Sequence, residues 1–259
     1  MFDVFYLENK IMRAGVNPHG GYVTSWVMKD SDVTHADQIL YIGSSIKRTG
    51  IPILFPNFGK SEQLKMHGFG RDCLWKVMGH SDDSVVMELG YIDIPDDCRG
   101  VYPYLFLARI IIQISEKCEL VYSLEVVNNG DIALPVSPGI HPYWNIQHED
   151  KNKLVINGIS GFDSSTIDWD NAPPDNDYEF FDRAEVLFVD KKLIIEDMSD
   201  GGEVIKWLIV WTQTPRDDDY RYICVEPVRG SHYSYDKVPV MVDPGQSWEM
   251  KVKFTIVQN

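Results

Sequence analysis

Apolar residues in this chain recur with a period of two more often than with the helical period of 3.6. The run Trp248-Glu249-Met250-Lys251-Val252-Lys253-Phe254-Thr255-Ile256 alternates apolar and polar throughout, as expected for a strand with one wet face. Short runs rich in Val, Ile, Tyr, Phe and Trp predict strands over 22–28, 74–80, 84–91, 105–114, 120–128, 154–159, 193–197, 204–211, 222–226 and 247–257. The link Ser81-Asp82-Asp83 is turn-like, and 115–119 reads as a hairpin connection. Helical patterns of ten or more residues are almost absent, and three prolines in 133–145 forbid a helix there. Without βαβ alternation a parallel sheet is not expected. The pattern predicts an all-β fold, a large antiparallel β-sandwich of stacked sheets. The polar, Pro-rich stretch 168–182 reads as a surface loop within one domain covering 1–259.

Size and composition agree with this picture. The chain has 259 residues with 44% hydrophobic and 12% aromatic content, enough for a core without staples. The N-terminus lacks a basic segment followed by an apolar run, and no stretch of about 18 apolar residues exists, so neither a signal peptide nor a membrane span is expected. Cys73, Cys98, Cys118 and Cys224 form no CxxC or zinc-spaced pair, which suits free thiols in a reducing cytoplasm. The formal net charge of −15 disfavours nucleic acid and anionic lipid as partners. An anionic small substrate would need a local cluster of Arg or Lys.

Three segments depart from scaffold chemistry. Arg48-Thr49-Gly50-Ile51-Pro52 leads through Phe58-Gly59 into Met66-His67-Gly68-Phe69-Gly70-Arg71, where glycines let a ligand approach the backbone near His67 and Arg71 offers a planar fork for hydroxyls, carboxylates or phosphates. Ser137-Pro138-Gly139-Ile140-His141-Pro142-Tyr143-Trp144 places His141 among aromatic rings of the kind that suit sugar faces. Tyr222-Ile223-Cys224-Val225-Glu226-Pro227 puts a carboxylate in an apolar strand, with the proline predicting a strand end. Taken singly, such a histidine is more often structural, Glu226 a salt-bridged strand end and Arg71 an ordinary ion pair. Together they make a plausible acid/base set that needs no metal or nucleophile. Asp217-Asp218-Asp219 reads as a solvated loop, and His19, His35, His80, His148 and His232 receive no role. No GxSxG, HExxH, Walker A or GxGxxG motif occurs.

These motifs, with Asp243-Pro244-Gly245-Gln246 before the last strand, resemble the aldose 1-epimerase (mutarotase) family over nearly the whole chain. The resemblance implies a galactose mutarotase-like supersandwich with an open sugar cleft. It implies Glu226 as general base, His141 as general acid to the ring oxygen, and His67 as a second site histidine. Arg71, Arg48 and Asp182 would bind substrate, and Trp144 or Phe58 would cover a ring face. It implies no cofactor and no metal. Base and acid would flank the C1–O5 unit across a gap as wide as a pyranose. The hexose-6-phosphate branch carries Arg-Gly-Gly-Ile-Pro and Gln-His-Gly-Phe-Ala-Arg. This chain keeps both arginines but has Met66 for the Gln and His141-Pro142-Tyr143 for His-Thr-Tyr. The expected partner is therefore a small sugar or sugar phosphate, with a lean toward an unphosphorylated aldose. The alternatives are a glucose-6-phosphate 1-epimerase, a non-catalytic carbohydrate-binding module, and another sugar enzyme on a related sandwich. A monomer or homodimer is expected.

Overall fold

The computed structural model describes residues 4–29, 36–43, 48–202, 204–215 and 220–258. Asp217, Asp218 and Asp219 lie outside the described residues, as does His35. The strands form antiparallel sheets, and the helices are short. Among the described residues the largest sheet has eight strands. One half of it is a meander of Lys76–His80, Ser84–Gly90, Phe106–Ser115 and Glu119–Asn128, each paired with the next and Lys76–His80 at the edge. Ser247–Gln258 pairs with Glu119–Asn128 and carries the sheet on to Lys191–Asp197, Arg183–Leu187 and Val155–Asn157. Burial alternates along Phe106–Ser115 and Ser247–Gln258, because successive side chains point to opposite faces. The inward residues Ile110, Ile112, Leu124, Val126, Val252 and Phe254 are fully buried. Each contributes roughly 1.5–3 kcal/mol relative to an exposed position.

A four-stranded sheet is built from Phe5–Glu8, Met12–Asn17, Tyr22–Lys29 and Ala36–Gln38. A six-stranded sheet holds Asp175–Glu179, Trp207–Trp211, Tyr222–Val228, Gly139–Ile140 and Ile53–Leu54 in order, with Tyr143–Asn145 also on Tyr222–Val228. This sheet is covered on both faces. Leu208, Val210, Ile223 and Val225 join the main core, while Ile209, Cys224 and Val228 belong to small clusters on the other side. Every residue of Tyr222–Val228 is accordingly buried.

The stretch 168–182 is not wholly a loop. Asp175–Glu179 is an edge strand on Trp207–Trp211. Its sequence Asp-Asn-Asp-Tyr-Glu has poor strand propensity, but an edge strand exposed to water tolerates charge and is protected by it. Glu226 is not at a strand end either, since the strand runs on through Pro227 to Val228. Leu208 flanks Pro227 on one side. On the other side the recorded pairings stop at Tyr143↔Cys224 and resume at Gly139↔Val228, so the missing N–H falls where the ladder is interrupted. Among the described residues no helix is long and apolar enough to cross a membrane.

The loop that carries His67 depends on one glycine. Gly68 has φ +66°, and a Cβ there would lie 2.1 Å from the Phe55 carbonyl oxygen. That same oxygen accepts hydrogen bonds from the N–H groups of Phe69 and Gly70. Gly68→Ala is therefore expected to cost more than about 1 kcal/mol in denaturant unfolding. Gly79→Ala, where a Cβ meets nothing within 4 Å, should stay within about 0.5 kcal/mol. Equal effects of the two substitutions would refute this account of the loop.

Candidate active site

Strand register sets the site. Gly139 pairs with Val228 and Tyr143 with Cys224. Counting inward from both pairs places His141 opposite Glu226. On the other flank Ile209 pairs with Glu226, and Asp177 pairs with Ile209. Residues directly opposite share a face. One row across the sheet therefore reads Asp177, Ile209, Glu226, His141. The adjacent row on the same face reads Asp175, Trp211, Cys224, Tyr143.

The His141 Nε2 atom lies 3.2 Å from Glu226 Oε1. Both side chains are almost wholly buried, His141 at 7% exposure and Glu226 at 1%. The His141 ring stacks on Tyr143, with centroids 4.6 Å apart and planes inclined by 8°. The His141 main-chain N–H donates to the Pro52 carbonyl. Glu226 Oε2 and His141 Nδ1 are buried without a hydrogen-bond partner among the described residues. Buried polar atoms in that condition are uncommon and call for an explanation.

Burial raises the Glu226 pKa well above the carboxylate range, and Asp175 and Asp177 push it further, against a lowering pull from Arg71. Burial holds His141 well below the usual histidine value, helped by His67 and Arg71. The pair thus favours a protonated acid beside a neutral imidazole. Desolvation of the charged forms is the common cause.

His67 sits at φ 68° beside Gly68. The Gly59 N–H donates to its Nδ1 at 3.1 Å, and the His67 N–H donates to the Gly59 carbonyl. Burial, with Arg71 and His232, lowers its pKa to about 3. The ring is therefore neutral, and because Nδ1 accepts, the proton is on Nε2. His67 is a fixed N–H donor, with its ring 5.8 Å from that of His141.

These groups surround one cavity of about 260 Å³. Arg48, His67, Arg71, His141 and Glu226 all line it. Phe58 lines it as well, together with Met66, Tyr143, Asp175, Ile209, Trp211 and His232. Its size is a little below the usual range for ligand pockets, roughly 300–1,000 Å³, and suits a ligand no larger than one monosaccharide. Two larger cavities, of about 440 and 430 Å³, lie elsewhere and contain neither residue of the buried pair.

Three expectations need correction. Asp182 does not line this cavity: it is an exposed residue at φ 59°, in the turn before Arg183–Leu187. Besides Glu226, the acidic residue lining it is Asp175, on the strand Asp175–Glu179. Trp144 faces the opposite side, packed against Trp26 and Phe254 in the main core, because it is one residue out of phase with His141 and Tyr143. Finally, acid and base are not separated by the width of a pyranose but stand in contact.

Sequence reading also missed His232 and Trp211. His232 reaches the cavity through Gly59, where any Cβ would come within 2.5 Å of the His232 Nδ1, and its ring lies 5.1 Å from that of Phe58. No local pattern announces it. Trp211 could have been found from the alternation of Trp207–Trp211, which puts it on the face opposite Leu208 and Val210.

The family model described as Aldose 1-epimerase matches residues 3–199. A protein of Escherichia coli K12 and one of Salmonella typhimurium LT2, each named "Putative glucose-6-phosphate 1-epimerase", are 20% and 23% identical. The first match covers 88% of this chain and 84% of the relative, the second 56% and 49%. The chain thus spans about half the length of the Salmonella relative. Among solved structures, a Synechocystis sp. PCC 6803 protein has a TM-score of 0.81 at 24% identity, covering 100% of this chain and 97% of the other. A galactose mutarotase related enzyme from Lactobacillus acidophilus has 0.76 at 19%, covering 98% and 97%. These likenesses show the fold.

The perturbed carboxyl gives a stability test. A buried acid with a raised pKa binds its proton more tightly folded than unfolded, so it weakens the fold as pH rises above the unfolded value of 4.5. The melting temperature of Glu226→Gln relative to wild type should therefore climb as pH is raised from 4.5 through neutrality. A difference that is flat with pH, or that shrinks, would contradict the buried-acid description.

Proposed function

The chain belongs to the aldose 1-epimerase family, and on that premise we propose that it interchanges the α and β anomers of an aldose by acid/base opening and closure of the ring. The observation that carries this reading is the buried Glu226–His141 pair at 3.2 Å on the wall of a monosaccharide-sized cavity. The reaction moves protons and breaks only the hemiacetal, so one base and one acid suffice.

Glu226 first passes its proton to His141 across their 3.2 Å contact, and the resulting carboxylate takes the proton of the C1 hydroxyl. The C1–O5 bond breaks as C1–O1 becomes a carbonyl, and O5 takes a proton from the His141 imidazolium. Glu226 is then protonated and His141 neutral, the distribution that burial favours. Rotation about C1–C2 offers the other carbonyl face, and the transfers reverse on closure. No net proton is exchanged with water. Contact between acid and base suits this chemistry. O1 and O5 are bonded to the same carbon, so two adjacent groups can reach both within hydrogen-bond distance. The base and acid need not stand on opposite sides of the sugar.

The other lining residues take binding roles in this reading. The His67 Nε2–H donates to a sugar oxygen, Asp175 accepts from hydroxyls, and Arg71 orients the substrate. Trp211 and Phe58 offer ring faces to its apolar side. We read the chain as one domain over 1–259, acting as a monomer or homodimer in the cytoplasm. All four cysteines being free supports a reducing compartment.

A second reading has the sugar carry a 6-phosphate. Two arginines, Arg48 and Arg71, line the same cavity in a chain of net charge −15, and relatives bear the name of that activity.

Polarimetry on freshly dissolved α-glucose and α-galactose tests the main reading. Glu226→Gln and His141→Asn should each lose at least about 100-fold in exchange rate, the lower bound for a positioned proton transfer, while remaining folded. Both relaxing the rotation as fast as wild type would defeat it. Saturable sugar binding without any acceleration by wild type would instead indicate a binding module.

Assays on glucose, galactose and their 6-phosphates separate the two substrates. If phosphate is recognised, Arg48→Ala should raise KM for the 6-phosphate by about tenfold or more, the loss of one charged hydrogen bond of roughly 1.5–3 kcal/mol. KM for the free sugar should hold. Equal effects on both would remove the phosphate reading.

A further inference from the structure

We infer that Cys224, His141 and Glu226 form a site for a soft divalent cation such as Zn²⁺, and that the cation occupies it in competition with the sugar. The competition rests on the proposed anomer exchange, whereas the binding does not. Cys224 has no part in that chemistry. It stands next but one to Glu226 on the same strand and directly across from Tyr143, so it shares their face. One ligand atom from each of Cys224, His141 and Glu226 can be chosen so that all three lie within 4.8 Å of one another. All three residues are buried.

The donor set is the argument for the cation. A thiol sulfur, an imidazole nitrogen and a carboxylate oxygen are the three ligand types of zinc. With Zn–S of about 2.3 Å and Zn–N and Zn–O of about 2.0–2.2 Å, tetrahedral ligands stand roughly 3.3–3.6 Å apart. His141 and Glu226 stand just inside that spacing at 3.2 Å, and the sulfur, within 4.8 Å of both, closes on the cation by a side-chain movement of about 1 Å. Three protein ligands leave a fourth position, which opens on the cavity that His141 and Glu226 line. Charge balances as well. On binding, the thiol and carboxyl protons pass to water, and a thiolate plus a carboxylate cancel the two charges of the cation. A neutral complex suits a buried site, where an uncompensated ion is costly.

The consequence is inhibition. The cation holds the lone pairs of acid and base that ring opening requires, so metal and sugar exclude each other. Nothing about Cys224 itself is needed for turnover.

The test uses the purified full chain, stripped with chelator and titrated with CoCl₂ and then ZnCl₂. Cobalt should bind at one per chain and give thiolate-to-cobalt charge-transfer absorption, which zinc displaces. Cys224→Ser, with Cys224→Ala as the second variant should the first fold poorly, should lose that absorption. Each should exchange anomers as wild type does, with the zinc concentration for half-inhibition raised about tenfold or more, since losing even an outer partner of a metal ligand costs 10–100-fold. Inhibition of wild type should be relieved by excess sugar. Absence of a thiolate band, or equal zinc sensitivity in the Cys224 variants, would overturn the inference while leaving the exchange reaction intact. A thiolate band in a protein that exchanges no sugar would uphold the metal site and sink the proposed activity.

Discussion

A carboxyl group and an imidazole held 3.2 Å apart inside a sheet, where water solvates neither well, set the terms for the rest of this site. Neither charged form is welcome there. The resting arrangement is a protonated acid beside a neutral base, and any reaction that uses the pair must pass one proton between them and the substrate. The two are brought together by pairing geometry, not by a loop. His141 falls in the interruption between two short strands that both pair with Tyr222–Val228, and the register on each side of that interruption fixes it opposite Glu226. A slip of one residue would turn either group to the wrong face. The covering of both sheet faces makes such a slip costly, because Ile223 and Val225 would leave the main core.

The surrounding groups divide according to how they are held. Glu226, Asp175 and Trp211 stand on continuous strands, with Tyr143 on a shorter one. His67 and Arg48 come from loops, and Arg71 from the short 3-10 helix Gly70–Asp72. The His67 loop is nonetheless pinned by paired hydrogen bonds with Gly59 and by the Phe55 carbonyl. Of the reacting pair, Glu226 stands on a continuous strand, and His141 is held between two short strands by their register and by its N–H bond to the Pro52 carbonyl. Sites built on strands hold their geometry more closely than sites built on loops.

Much of this was legible in the chain. The alternation in 247–257 and the apolar runs of 105–114 and 120–128 correspond to the strands Ser247–Gln258, Phe106–Ser115 and Glu119–Asn128. The Gly/Pro-marked histidines and the carboxylate in an apolar strand drew attention to residues that the structure gathers on one cavity. What escaped did so for physical reasons. Asp175–Glu179 pairs by backbone on one edge only and faces water, so its side chains carry no strand signal. Asp182 resembled a binding acid in local sequence, but a left-handed turn holds it at the surface. Trp144 differs from Tyr143 by one position, and in a strand that is enough to reverse its direction. His232 enters from more than 150 residues beyond Gly59, a juxtaposition no local pattern records.

The charge distribution makes a final point about selectivity. A chain with 39 acidic and 24 basic residues presents a repulsive exterior to anionic substrates. The acidic groups on the site's own edge strand, Asp175 and Asp177, act in the same sense: they raise the Glu226 pKa, while Arg71 lowers it. At physiological ionic strength charges more than about 8 Å apart are largely screened. The exterior therefore governs encounter, and the few groups in the cavity govern binding. Arg48 and Arg71 line the cavity with Asp175 on the edge strand and Glu226 on the central strand, and burial favours the protonated form of Glu226. A substrate's own charge would be read against that excess of arginine over ionised carboxylate. Small changes in the arginines, more than in the acid/base pair, are therefore the route by which this scaffold would choose between a free sugar and its phosphate.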